Sequence, residues 1–477
     1  MALPAAGTQP REAFILGAGF SKAISPVMPL TDELGDRLAS ADPNAFTRLQ
    51  GGSFETWLSH RAEAQPYLDA ADNLERQSVF ARATSRIATT LDELIAEALS
   101  APLPPWLAQL VSLWHLHDAD VLTFNYDTLV ECAFDTLRFW DWRAEAEFQW
   151  GSLLNYNPTG KAGSSIGEFD GTSGPHRSFR LWKLHGSTNW FWTPGDASGA
   201  SAIRVALPGK FGAPKSADAD ERHWMAPGRE PLLVPPSALK SSYYANPITR
   251  EVWSRGYEAL RAAEVITLIG YSLPQTDLTT VGMLVDALHA GTVKEVRVVD
   301  LAPSEIADRL RSLAPPGVAV VEYGKHDPNP AQAYVTIRLA EAAERAASRL
   351  SAGSDDEDAL LLVTWGDLGP GPQFGRTAPV IGLHRSPDGS ELRVEAGSLT
   401  TFAGATTVWR EGGPSPVSVA ELRRELRGAH RIVAIVEGNS AESVVIDFTH
   451  RATTVGQGNG EWIQLIPAGA APFVGVT

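Results

Sequence analysis

The sequence predicts an α/β protein: a mostly parallel, Rossmann-like sheet with a helical insert, followed by a small β-rich C-terminal domain. Three observations carry this prediction. Short apolar runs alternate with segments whose apolar positions recur three and four apart, the pattern of buried strands and the helices that cover them. Several of these runs end in Gly, Asn or His followed by small polar residues, at the edge where open parallel sheets place ligands. Beyond residue 358 the helical period fades and strand-like runs follow one another.

The first strand, Glu12 to Leu16, runs directly into Gly17-Ala18-Gly19-Phe20-Ser21. A helical insert is expected over about 44–118, marked by Phe54, Trp57 and Leu58 and by the periodic stretch from Val79 to Leu99. A second strand, Val121 to Phe124, leads to a helix from Tyr126 to Leu137. Residues 139–178, rich in Gly, Ser, Trp and Pro, read as an insertion. A third strand, Phe179 to Leu184, ends at His185-Gly186-Ser187. After a loop-rich stretch over 194–230, helix Thr249 to Ala263 precedes strand Glu264 to Ile269. Helix Leu278 to His289, strand Glu295 to Val299, helix Pro303 to Leu313 and strand Val318 to Val321 follow, and an amphipathic helix from Ala331 to Leu350 closes the unit. The first domain therefore spans 1–350, and the acidic, small-residue stretch 351–359 is a linker. In the domain over 360–477, seven strand-like runs, a Pro387-Asp388-Gly389 turn and one helix from Val417 to Leu426 are expected.

Composition bounds the function. The chain has 477 residues, 44% hydrophobic and 20% charged, which suits two or three globular domains and excludes wholesale disorder. Lys and Arg total 40 against 56 Asp and Glu, a net charge of −16, and the pI is near 5.2. Such a chain lacks the bulk positive field of non-specific nucleic-acid binders, so strong direct nucleic-acid binding is not expected, whereas a small, locally cradled anion is compatible. A single cysteine, Cys132, excludes an intrachain disulfide and a four-cysteine zinc site, and fits a reducing cytoplasm. Its place beside an apolar helix face predicts a buried, inert thiol. No metal-ligand spacing surrounds the histidines, so no metal is expected. Met1 to Arg11 lacks the basic flank and apolar core of a signal peptide, and no apolar run reaches the ~18 residues of a membrane span. A cytoplasmic protein with no membrane contact is expected.

The strand ends carry the chemistry. Glycines at 17 and 19 let the backbone turn tightly into a helix N-terminus, where a pyrophosphate finds free amides; the plain alternative is a tight strand-to-helix turn, since Lys22 replaces the third glycine of the dinucleotide fingerprint. Asp300 follows a strand at the place where nucleotide folds hold an adenosine ribose, or it caps the next helix. Gly270-Tyr271-Ser272-Leu273-Pro274 is another strand-end turn. Asn125 or Asp127 caps a helix or faces the ligand, and His185, before Gly-Ser, is placed as a base or serves structure. Trp140, Trp142, Trp150, Trp182, Trp190 and Trp192 cluster in sequence near His185, as a stacking pocket or as core.

Taken in order, the glycine turn, Phe124-Asn125-Tyr126-Asp127, the His185-Gly186 pair, the Gly-Tyr-Ser-Leu-Pro turn and the strand-end Asp300 resemble the sirtuin family. The resemblance is closer to its bacterial sirtuin-like branch in anti-phage defence, and it spans about residues 12–345. It implies that Gly17, Ala18, Gly19, Phe20, Ser21, Gly186, Gly270, Ser272 and Asp300 bind NAD, and that Asn125, His185 and Asp127 act on it, with His185 as general base. Protein-deacylating sirtuins hold a zinc ion through four cysteines, which this chain lacks; the defence-type relatives lack that module and hydrolyse NAD. The resemblance therefore implies an NAD+ hydrolase releasing nicotinamide and ADP-ribose, a triggered effector that depletes cellular NAD in abortive infection. A homo-oligomer and an activating partner protein or small-molecule signal acting through 360–477 are expected with it. An NAD-dependent protein deacylase and a non-catalytic nucleotide sensor are the competing readings.

Overall fold

In the computed structural model the described residues are 10–43, 53–116, 119–137, 140–141, 146–147, 150–154, 178–196, 198–215, 228–237, 244, 246–274 and 277–338, together with strand segments between 359 and 465. Six strands form one parallel sheet: β1 (Glu12–Leu16), β2 (Asp120–Thr123), β3 (Arg180–Lys183), then β7 (Val265–Ile269), β8 (Glu295–Val299) and β9 (Ala319–Tyr323). Their spatial order is β9-β8-β7-β1-β2-β3, with Ile15 in register with Leu122 on one side and Leu268 on the other. The chain builds outward from β1 through β2 to β3, then returns to the other side of β1. The order thus reverses between β1 and β7, the position at which an open α/β sheet leaves a crevice at its carboxyl edge. This is a Rossmann-like α/β architecture. β1, β2 and β7 are buried along their whole length, as the continuous apolar runs demand.

Helices α1 (Ala18–Ile24), α2 (Thr31–Ala41), α3 (Phe54–Ala62), α4 (Ala70–Leu99) and α5 (Pro105–Leu116) lie between β1 and β2. Helices α1 and α2 precede residue 44, from about which the helical insert is expected. Its last helix packs on the sheet and on α1 through rings: Trp114 meets Phe14 of β1 at 5.5 Å and Phe179, just before β3, at 5.6 Å, and Trp106 meets Phe20 of α1 at 5.8 Å. The α2 entry is held by Glu33, whose Oε2 accepts from Leu30 N at 2.9 Å while Lys22 pairs with the same carboxylate. The Lys22 bond, then the Leu30 amide, hold the Glu33 carboxyl below its usual range. A folded-state value below the unfolded one contributes stability above the ordinary carboxylate range, and that contribution is lost as acid carries the pH through the folded value. Glu33→Gln is therefore expected to cost about 0.5 kcal/mol at neutral pH, held small by solvent screening, and nothing in strong acid. Urea unfolding at the two pH values checks it.

Two elements depart from expectation where the site is built. The helix after β2, α6 (Leu129–Leu137), starts at Leu129 rather than Tyr126, because residues 124–128 form an irregular segment and Asp127 caps the helix behind it. After the expected strand end at His185-Gly186-Ser187 the chain goes straight into another strand: Gly186–Trp192 is strand β4 of a separate three-stranded sheet, between β5 (Ile203–Arg204) and β6 (Glu230–Leu233). The remaining covering helices are α7 (Pro247–Ala262), α8 (Leu278–His289) and α9 (Pro303–Leu313), with α10 over 330–338. The rest of the expected closing helix, the linker over 351–358 and most of the helix expected from Val417 to Leu426 lie outside the described residues.

The segments described from Ala359 onward are strands; each of the seven expected runs overlaps one, although the run expected at Glu391–Glu395 falls in the longer strand Leu392–Phe402. Two further strands, Gly413–Val417 and Ala452–Gly456, were not anticipated. The pairing is antiparallel except between Ala359–Trp365 and Arg431–Glu437, which run parallel. Among the described residues no helix is long and apolar enough to cross a membrane.

Candidate functional site

The turns after β1 and β7 meet backbone to backbone across the point where the strand order reverses. Gly17 N donates to Ile269 O at 3.1 Å and Gly19 N to Gly270 O at 3.0 Å. A Cβ on Gly17 would stand 2.5 Å from Gly270 O, and one on Gly19 would stand 2.9 Å from Gly270 Cα. Close packing of two turns is thus a sufficient reason for these glycines, and it spends the Gly17, Gly19 and Phe20 amides on protein acceptors. Gly270 N in turn donates to Val299 O at 2.9 Å, which ties in the end of β8.

The irregular segment after β2 reaches into this junction. Asn125 Nδ2 donates to Gly17 O and to Ser21 Oγ, each at 2.8 Å. Ser21 Oγ donates to Asp127 Oδ2 at 2.6 Å, and Asp127 Oδ1 accepts from Leu129 N at 3.1 Å. Three sequence-predicted residues therefore form one hydrogen-bonded chain, two of them buried. Of Asn125 and Asp127, the latter supplies the acceptor for the first amide of α6, that of Leu129. Because both Asn125 amide protons are committed, the group it offers to a ligand is its acceptor Oδ1. The Ser21 proton is likewise spent on Asp127, so Ser21 bridges Asn125 and Asp127.

His185 follows β3 and is buried among rings. Phe124 lies 5.0 Å away edge-on, Tyr126 6.2 Å away and Trp253 6.3 Å away. Tyr271, after β7, stacks on Phe124 at 4.7 Å. Burial, and then the nearby Asp277 carboxylate, push the Tyr271 hydroxyl well above its usual range, so it stays protonated. The main chain around His185 is tied down on both sides: Val234 N donates to His185 O at 2.9 Å, Tyr126 Oη to Val234 O at 2.7 Å, and Thr188 N to Tyr126 O at 2.9 Å. Gly186 has φ +79, and a Cβ there would fall 1.9 Å from Leu232 O. The glycine after the histidine is required by the approach of β6.

No protein-family model matches this chain, and no curated protein matches it.

The structure thus brings Gly17, Gly19, Ser21, Asn125, Asp127 and Gly270 into one connected cluster, with His185 joined to it through Phe124. Ala18 lies in the same turn, at the start of α1. Phe20 contributes only backbone there; its ring is buried against Trp106 and Trp114. Ser272 is exposed, and its carbonyl accepts from Arg309 Nη2 at 2.8 Å. Asp300 stands at the same carboxyl edge, where its Oδ1 accepts from Ala302 N at 3.0 Å in a local turn. Helix α9, which follows, takes no side-chain cap from Ala302.

Of the tryptophans near His185 in sequence, Trp182 and Trp190 follow the core alternative. Trp182 faces the opposite end of the sheet, where its Nε1 donates to Asp120 Oδ1 at 3.0 Å, and Trp190 is buried. Among the described residues, an indole beside His185 is that of Trp253, held by Nε1 donating to Leu184 O at 2.8 Å. Its position on α7, far from His185 in sequence, hid it. Lys183 and Glu131 were also passed over: Arg180–Lys183 and Leu129–Leu137 each hold a second charged residue, Arg180 and Asp135, so the sequence does not single out the pair. Cys132 is buried as expected, and burial pushes its thiol up.

Proposed function

We propose that this chain is a sirtuin-like NAD+ glycohydrolase that releases nicotinamide and ADP-ribose. The observation that carries the reading is the junction of the Gly17–Gly19 and Gly270 turns at the strand-order reversal, with Asn125 bound to Gly17 and His185 one ring away. A dinucleotide lying across that crevice would place its pyrophosphate over the turn at Gly17, Ala18 and Gly19. Its adenosine would then lie toward β8 and Asp300, and its nicotinamide ribose toward Asn125.

The glycosidic bond to nicotinamide breaks through an oxocarbenium-like transition state. Its electron pair goes to the pyridine nitrogen, which is cationic at the start and leaves neutral, so no acid is needed. Asn125 Oδ1 accepts from a ribose hydroxyl and holds the sugar in place. Water forms the new bond at C1′ and gives its proton to His185, whose aromatic surroundings limit solvent around the reacting centre. Asp127 keeps Ser21 and Asn125 in place.

Such an enzyme acting without restraint in the cytoplasm would exhaust a shared cofactor. The reading therefore includes gating, with the strands after residue 359 as a β-rich domain that senses a trigger, binds a partner or drives homo-oligomer assembly. The setting is abortive anti-phage defence. The test measures NAD+, nicotinamide and ADP-ribose in phage-challenged cells carrying the wild type or His185→Gln. NAD+ falling with equimolar products in the wild type alone is expected. Intact NAD+ in both, with NAD+ bound by the purified chain, would replace the enzyme with a nucleotide sensor.

A further inference from the structure

Behind the Asn125–Ser21–Asp127 chain lies an ion pair withdrawn from solvent. Lys183 Nζ is 2.9 Å from Glu131 Oε1, with side chains 0% and 1% exposed. The same ammonium donates to the main-chain carbonyl of Asp127 at 2.5 Å. Lys183 ends β3, two residues before His185, and Glu131 sits in the first turn of α6, just after Asn125 and Asp127. We infer that Lys183 and Glu131 are positioning residues, which fix the Asp127 main chain and its attached Asn125 against the strand that carries His185. The inference rests on reading Asn125 and His185 as the reacting side of the site.

Stability alone is a poor reason for this pair. Desolvating two charges offsets most of their attraction, and apolar side chains of similar volume commonly hold a fold as well or better. Burial pushes the Glu131 carboxyl up while Lys183 opposes it, so the desolvation cost falls on this very group. What apolar side chains cannot supply is a donor to a carbonyl. Residues 125–127 belong to neither helix nor sheet: they lie between the last bond of the β1–β2 ladder, Phe124 N to Leu16 O, and the first bond of α6, Cys132 N to Thr128 O. They are held instead by bonds from outside, and Lys183 supplies the one that reaches the Asp127 carbonyl from the neighbouring strand. An ammonium carries three donors, enough to grip a carboxylate and a carbonyl together. Glu131 supplies the counter-charge that keeps it there.

The test replaces both charges together in the full chain, Lys183→Met with Glu131→Leu, so that no lone charge is left buried. Three quantities are read: the thermal unfolding midpoint, amide hydrogen exchange across 124–129, and kcat and KM of the triggered enzyme with NAD+ as the probe. Positioning predicts a midpoint close to wild type and exchange in that segment faster by about tenfold. It also predicts a kcat lower by about tenfold with little change in KM. Wild-type exchange in 124–129 overturns the inference, and so does acceleration spread over the whole chain with a falling midpoint. If the apolar pair does not fold, Lys183→Met with Glu131→Gln carries the same comparison. The exchange measurement needs no substrate. A wild type that neither binds nor hydrolyses NAD+ would therefore remove the proposed function without deciding the positioning role, which exchange decides separately.

Discussion

Asn125→Ala is expected to lower NAD+ turnover by about a hundredfold, the scale seen when one preorganised polar group at a reacting centre is removed. The geometry makes the prediction specific. Both Nδ2 protons are bound within the protein, to Gly17 O and Ser21 Oγ, so the side chain is fixed and its Oδ1 needs no reorganisation to accept from a sugar hydroxyl. Alanine removes the acceptor and also releases Ser21 from one side. The stability cost is expected to stay near 1 kcal/mol, because Asn125 is only partly buried and water can reach the groups it leaves. Asn125→Asp is expected to fail as well, for a different reason: a carboxylate has no proton for Gly17 O and would face the Asp127 carboxylate across Ser21. Steady-state kinetics of triggered enzyme, with unfolding curves for each variant, separate these effects. A kcat within a few-fold of wild type for Asn125→Ala would remove Asn125 from the reaction.

The centre of the sheet was legible because β1, β2 and β7 are buried along their length and read as largely apolar runs; β1 and β8 match their expected bounds. So do α8 and α9, whose first turns carry Asp277 before the helix and Pro303 at its start. The cluster of Gly17, Ser21, Asn125 and Asp127 was legible as residues but not as bonds. Whether Asn125 or Asp127 caps α6 depends on where the irregular segment ends, and both residue types favour caps. The continuation of His185 into β4 was missed because Gly-Ser after an apolar run signals a turn. The structure instead uses Gly186 to let β6 approach, a demand set by residues 232–233, more than forty positions away. Trp253 and the Lys183–Glu131 pair were hidden for the same reason: tertiary contacts bring together elements that local pattern treats separately.

Gly270→Ala is expected to destabilise the protein by about 3 kcal/mol or more, from two costs that add at one atom. The residue has φ +59, which an L side chain adopts only with strain, and its Cβ would lie 2.2 Å from Phe20 N and 2.4 Å from Gly19 C. Those neighbours are backbone and cannot swing aside as a side-chain tip would. Relief requires the turns after β1 and β7 to separate, which breaks the Gly19 N to Gly270 O bond and moves Gly17 O away from Asn125. The fold cost and the site cost are therefore linked: molecules that stay folded should also lose NAD+ affinity. Gly282→Ala, on α8 with nothing within 4 Å of its Cβ, supplies the control and should gain a few tenths of a kcal/mol. Denaturant midpoints compare the two variants, and calorimetric titration of the folded fraction with NAD+ reads the coupling. A Gly270→Ala protein of wild-type stability and wild-type NAD+ affinity would mean that the two turns do not pack as described, and the dinucleotide reading would lose its central support.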